Sequence, residues 1–196
     1  MDQRPPYSID RGTGLLQGAT YRPSPNRDAR PPGASVDLIV VHGISLPPGE
    51  FAGDLVEDFF QNRLDVTRHP FFRTIQTLRV SAHLYVRRDG RVVQFVAFHE
   101  RAWHAGQSRY GYRDACNDFS VGIELEGSDD IAYEPVQYAV LAGVIAALRA
   151  AYPTIASDAL VGHSDIAPGR KTDPGPAFDW SELRRCLSDR AAVPAP

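Results

Sequence analysis

The chain has 196 residues, 43% of them hydrophobic and 23% charged, and a net charge of -3 with six histidines left uncounted. A chain of that size suits one domain that buries enough apolar surface to fold without disulfides or partner subunits, so a monomer is expected. The near-neutral charge gives no electrostatic case for nucleic acid or an anionic membrane as partner.

The first residues, MDQRPPYSID, hold no basic start followed by an apolar stretch of signal-peptide length, which points to the cytoplasm. Cys116 and Cys186 are too few and too distant to form a disulfide framework, and read as reduced, packed thiols. Residues 1–34 are rich in Pro, Gly, Arg and Asn and suggest an irregular arm over a domain spanning 35–190, with a frayed tail at 191–196.

In chain order, Val36 to Val41 forms an apolar run on both faces, the mark of a central strand, and ends at His42 and Gly43. A helix is expected from Pro48 or Glu50 to Arg63. Alternating residues from Val80 to Ala97 flank Asp89-Gly90, a strong hairpin signal. Ser120 to Glu126 predicts a strand with Val121, Ile123 and Leu125 on one face and Gly122, Glu124 and Glu126 on the other. The longest helix begins at Pro135, a favoured first position, and runs to Tyr152 before Pro153. Val136, Val140, Val144, Ala147 and Leu148 recur along it at helical spacing and should face the sheet. A short strand, Ala159 to His163, leads into a Pro/Gly-rich loop from Ser164 to Phe178. Asp179, with Glu182 three residues on, opens a last helix. The fold class is therefore α+β, a single domain with a mixed central sheet and helices packed around it.

His42 and His163 each end an apolar strand, where ligands of such sheets gather. A buried structural histidine is the plainer reading of either one alone. Asp173 lies ten residues after His163, in a loop stiffened by Pro168, Gly169, Pro174, Gly175 and Pro176. Two imidazoles and a carboxylate are a common ligand set for catalytic zinc, although this spacing matches no short zinc signature. A carboxylate such as Glu124 on an apolar strand is costly to bury unless it is paired, metal-bound or facing a cleft. Glu126 shares its face and is the rival candidate. Gly122 beside them leaves room for a ligand to approach the backbone.

The segments VVHGISLPPGEF, HPFF, LRVSAH, RRDG, RAWHAG, CNDFSVGIELEG and GHSDIAPGRKTDPGPAFDW resemble the cytoplasmic N-acetyl-anhydromuramyl-L-alanine amidases of the AmpD family, over nearly the whole chain from Tyr21 to Leu187. These amidases fall within the amidase and peptidoglycan-recognition-protein superfamily. The resemblance implies a Zn²⁺ cofactor held by His42, His163 and Asp173, Glu124 as catalytic glutamate, and Lys171 assisting at the reacting carbonyl. It implies a small-molecule muropeptide substrate, cut between the lactyl carbonyl and L-alanine, and places Arg79, Trp103 and His104 along the substrate groove. His83 is read as a packed residue behind the ligands. Close members carry Asn after the first zinc histidine, where this chain has Gly43, so one hydrogen bond to substrate is expected to be missing. Two other readings stay open on sequence alone: a non-catalytic muropeptide-binding module, and a periplasmic amidase acting on intact wall.

Overall fold

The computed structural model describes residues 7–51 and 53–191; of the tail expected to fray at 191–196, Ala191 ends the last helix and the rest lies outside the described residues. The strands in chain order are β1 (Ile9–Asp10), β2 (Leu15–Leu16), β3 (Thr20–Tyr21), β4 (Arg27–Ala29), β5 (Leu38–Ile44), β6 (Leu84–Val86), β7 (Val92–Gln94), β8 (Glu100–Ala102), β9 (Arg109–Tyr110), β10 (Arg113–Asp114), β11 (Ser120–Glu126) and β12 (Leu160–Gly162). The helices are α1 (Leu55–Phe60), α2 (Phe72–Ile75), α3 (Pro135–Ala151), α4 (His163–Ile166) and α5 (Trp180–Ala191). No helix among the described residues is long and apolar enough to cross a membrane.

A six-stranded sheet in the order β12-β5-β11-β6-β7-β3 forms the centre. The pairs β12–β5, β5–β11, β11–β6 and β7–β3 run parallel, and the β6–β7 hairpin is antiparallel. This is the mixed sheet expected. Both central strands are buried; β5 reads as a near-continuous apolar run, while β11 alternates, with Val121, Ile123 and Leu125 facing the larger core. Val121, Ile123 and Leu125 pack with α3 in the larger core, while Tyr85, Val93 and Phe95 pack under α1 and α2 in a second core. Truncating a fully buried residue such as Ile123 to Ala costs about 2–5 kcal/mol.

The 17-residue α3 starts at Pro135, as expected, and Gln137 Oε1 accepts the Glu134 N–H at 2.9 Å to cap it. It is buried on more than its sheet-facing stripe because α5 covers it as well. Asp179 caps α5 by accepting the N–H groups of Ser181 and Glu182 at 2.8 and 3.0 Å. Glu182 does not complete a capping box; its carboxylate pairs with Arg185 instead.

Three local expectations differ from the structure. The first helix is only Leu55–Phe60, because Gly53 and Asn62 adopt left-handed φ values of 68° and 58° that a right-handed helix cannot include. The segment around HPFF contains the one-turn α2, and the loop after His163 begins with the one-turn α4. Residues 7–34, expected to be irregular, carry four short strands. Of these, β3 joins the main sheet and β4 pairs with β8. Side chains anchor this segment: Gln94 bonds the backbone of Gly14 and Leu16, and Arg101 grips Asp28 through two bonds of 2.6 Å.

Candidate active site

The site forms at the carboxyl ends of β5, β11 and β12, where strand pairing decides which side chains meet. Glu124 is opposite His42 in the parallel register of β11 on β5, so both project from the same face. Gly162, the last residue of β12, hands the chain to α4, whose first residue is His163. The Gly162 N–H donates to Asp165 Oδ2 at 2.7 Å, and the Ser164 N–H donates to the Asp173 carbonyl at 3.0 Å. Those two bonds fold the long loop back so that Asp173 returns to His163.

His42 Nδ1 lies 3.0 Å from His163 Nδ1, and each lies 3.1 Å from Asp173 Oδ2. The histidines are almost fully buried, with exposures of 1% and 3%. What occupies the middle of this triangle depends on where the ring protons are. Ser120 donates its hydroxyl hydrogen to the Cys116 carbonyl at 2.6 Å, so toward His104 it can only accept, from Nε2–H at 3.1 Å. His104 Nδ1 is then a bare acceptor, and it takes the Nε2–H of His42 at 2.9 Å. Burial pushes the His42 pKa down to about 4, so the ring is neutral and its Nδ1 carries a lone pair.

His163 is oriented the same way, its Nε2–H donating to the Ala105 carbonyl at 3.2 Å. Asp173 closes the triangle with a carboxylate oxygen 3.1 Å from both Nδ1 atoms. Three acceptors therefore converge with no hydrogen among them, an arrangement that needs a cation. Zinc bonds of 2.0–2.1 Å in tetrahedral geometry put ligand atoms about 3.3 Å apart, close to the spacing seen. The donor set fits a divalent zinc ion, and the bonds behind each imidazole are of the kind that orient metal-binding histidines.

Beside the triangle opens a cavity of about 400 Å³. One wall is apolar, with Phe59, Phe71, Ile75 and Leu78; the other carries His104, Glu124, Asp129, Lys171 and Asp173. Glu124 Oε2 has no hydrogen-bond partner, and burial holds its pKa well above the usual carboxylate value, with Asp173 adding to the shift and Lys171 opposing it. Glu126, the rival, is occupied elsewhere: its Oε2 accepts the Arg88 N–H at 2.9 Å, and it does not line the cavity.

The residues expected along the groove separate. His104 touches the cavity, but both ring nitrogens are engaged by His42 and Ser120, so it acts behind the ligands. Trp103 is not part of the cavity wall, and its indole N–H donates to Asp28 at 3.1 Å. Arg79 is exposed, bonds the carbonyls of Gln76 and Leu78, and borders a small adjoining hollow of about 60 Å³. His83 is fully buried and stacks on Phe98 with ring centres 6.0 Å apart, as a packed residue would.

Gly122 has a different purpose from the one expected. A Cβ there would collide with the His104 ring, so the glycine makes room for a protein side chain and not for a ligand. Sequence reasoning also missed Ser120 and Asn117, whose Oδ1 accepts the N–H groups of His104 and Ala105 at 3.1 and 2.8 Å. Both stand in the CNDFS run, a signal that was visible but had no assigned task.

The N-acetylmuramoyl-L-alanine amidase family model matches residues 32–176. Over 175 residues the chain is 55% identical to the 1,6-anhydro-N-acetylmuramyl-L-alanine amidase AmpD of Escherichia coli K12, covering 89% of this chain and 95% of that one. A crystal structure of a Se-Met AmpD derivative superposes with a TM-score of 0.88 at 51% identity, covering 91% of this chain and 98% of the other. A complex of the E. coli amidase AmiD with the substrate anhydro-N-acetylmuramic acid-L-Ala-D-gamma-Glu-L-Lys is 29% identical with a TM-score of 0.56, covering 80% of this chain and 60% of that one.

Proposed function

Because this chain belongs to the N-acetylmuramoyl-L-alanine amidase family, we propose that it hydrolyses the amide joining 1,6-anhydro-N-acetylmuramic acid to L-alanine in muropeptides, a step of peptidoglycan recycling, and does so with one zinc ion. The observation that carries this reading is the convergence of His42 Nδ1, His163 Nδ1 and Asp173 Oδ2 beside the unpartnered Glu124.

His42, His163 and Asp173 would hold the metal. When bound there, zinc supplies a Lewis acid that polarises the amide carbonyl and makes water acidic enough to react near neutral pH. Glu124 accepts the proton that water loses and delivers one to the leaving L-alanine nitrogen. Burial, with Asp173 adding to it, raises its pKa above the usual carboxylate value, which favours its holding the proton between those two transfers. Lys171, on the same wall, offers an ammonium to the oxyanion that forms as the carbonyl is attacked. The apolar wall receives the uncharged parts of the substrate and keeps bulk water away from the reacting bond.

A module that only bound muropeptides would have no use for a buried, unpartnered carboxylate, whose desolvation is unfavourable. A monomer is the proposed working unit, since the three proposed ligands meet within a single chain. The cytoplasm is the proposed compartment, favoured by the likeness to the recycling enzymes. Zinc-loaded protein incubated with anhydro-muropeptide and with ordinary muropeptide tests the proposal by product mass. Release of the intact stem peptide from the anhydro form is expected, and no release from either substrate overturns it.

A further inference from the structure

At the carboxyl ends of three neighbouring strands the sheet is bare of side chains on one face. Gly162 pairs with Val41, and Gly43, two residues further along β5, pairs with Leu125. Gly127 lies two residues past Leu125, joined to β5 by its N–H on the Ile44 carbonyl at 2.9 Å. Alternate residues of a strand share a face, so Gly162, Gly43 and Gly127 form one floor, on the side of the sheet opposite His42 and Glu124.

Two groups rest on this floor. A Cβ at Gly162 would come within 2.9 Å of Pro174 Cδ, and one at Gly43 would lie 3.5 Å from Pro174 Cα. A Cβ at Gly43 would also collide with the Tyr133 hydroxyl, and one at Gly127 with the Tyr133 ring. Tyr133 is buried, packs edge-on against Phe178 with ring centres 5.3 Å apart, and donates its hydroxyl to the Pro174 carbonyl at 2.9 Å.

We propose that Tyr133 is a positioning residue for the metal ligand Asp173, and that in this chain Gly43 gives its hydroxyl the room to act. The inference rests on the zinc-amidase reading above. Asp173 sits in a segment without strand pairing, and the next residue, a proline, has no N–H with which to anchor itself. The main chain is held from both sides instead: the Ser164 N–H takes the Asp173 carbonyl at 3.0 Å, and Tyr133 takes the Pro174 carbonyl. With both carbonyls fixed, the main chain at Asp173 is held where its carboxylate reaches the two imidazoles. In this chain a Cβ at position 43 would take the volume of the Tyr133 hydroxyl, so the hydroxyl and the glycine are packed as a pair.

The test compares the full-length wild type with Tyr133→Phe, Gly43→Ala and the double variant. Zinc affinity is read by chelator competition, the visible spectrum with cobalt in place of zinc, and melting of the metal-free protein. Tyr133→Phe should weaken zinc binding about tenfold, the low end for groups that support metal ligands. It should alter the cobalt bands while leaving metal-free melting nearly unchanged. Gly43→Ala should harm zinc binding in the wild-type background but add little to Tyr133→Phe, because without the hydroxyl the new Cβ meets the ring Cζ at a tolerable 3.4 Å. Should Gly43→Ala fail to fold, Tyr133→Phe alone decides. Unchanged zinc affinity and cobalt spectrum in Tyr133→Phe overturn the inference, as does full additivity of the two substitutions. A wild type that binds no zinc in the same competition overturns the zinc reading as well, so the two failures are separable.

Discussion

Glu124 and His42 are register partners on adjacent parallel strands, so a carboxylate and an imidazole leave the sheet on the same face at the same level. Strand pairing alone thus sets the proposed base beside the proposed metal. Slipping β11 by one residue would turn Leu125 to the site and Glu124 into the apolar core, and burial of that core is what prevents it.

Glu124→Gln keeps the volume and removes the base. Turnover should fall about 10²–10⁴-fold with zinc content and melting temperature retained. Glu126→Ala should do the reverse, losing roughly 1 kcal/mol of stability with its bond to the Arg88 N–H while turnover persists. Steady-state rates on anhydro-muropeptide with parallel thermal melts distinguish them, and near-normal turnover in Glu124→Gln moves the base elsewhere.

Asp173→Ala removes the only carboxylate of the converging triad. The variant should retain the fold and lose zinc on dialysis, which metal analysis reads directly. Zinc retained at one per chain after dialysis would remove Asp173 from the ligand set.

Ser120→Ala leaves the His104 Nε2–H without its acceptor, and the chain of bonds that makes His42 Nδ1 the free nitrogen loses its anchor. Zinc affinity should drop about tenfold, the scale for partners behind ligating histidines. Nitrogen NMR of the imidazoles should show His104 and His42 no longer confined to one tautomer. Unchanged shifts and affinity would mean that the His104 tautomer is set by something other than Ser120.

Zinc should also stabilise the fold, because three acceptors without a hydrogen among them repel one another when no cation is bound. At free zinc one hundred times its dissociation constant the gain is about 2.7 kcal/mol, seen as a melting temperature that climbs with zinc and returns on chelation. A melting curve indifferent to zinc contradicts a site built in the native state.

Much of the fold was legible from local pattern. The apolar run of β5, the alternation along β11, the Asp89-Gly90 turn, and Pro135 opening α3 are properties of single segments, and the structure reproduces them. The interruptions at Gly53 and Asn62 were not legible, because a left-handed residue leaves no periodicity to read. The proposed ligands were named in advance, but from residue types and resemblance, without knowledge of which atoms would meet. Trp103 and Arg79 show the limit of that route: both have side chains suited to a groove, and the structure turns one to Asp28 and sets the other beside a separate hollow.

Sequence by itself determined where the long central strands β5 and β11 and the helices α3 and α5 form, since hydrophobic period and turn chemistry act over a few neighbouring residues. Tertiary structure alone decided that Ser120, His104 and His42 form one directed chain, that Gly122 shelters His104, and that Gly43 makes way for Tyr133. Each of those relations joins residues brought together by the pairing and packing of separate segments. A hydrogen-bond partner is a property of a place in space, and the place exists only once the parallel strands have found their register.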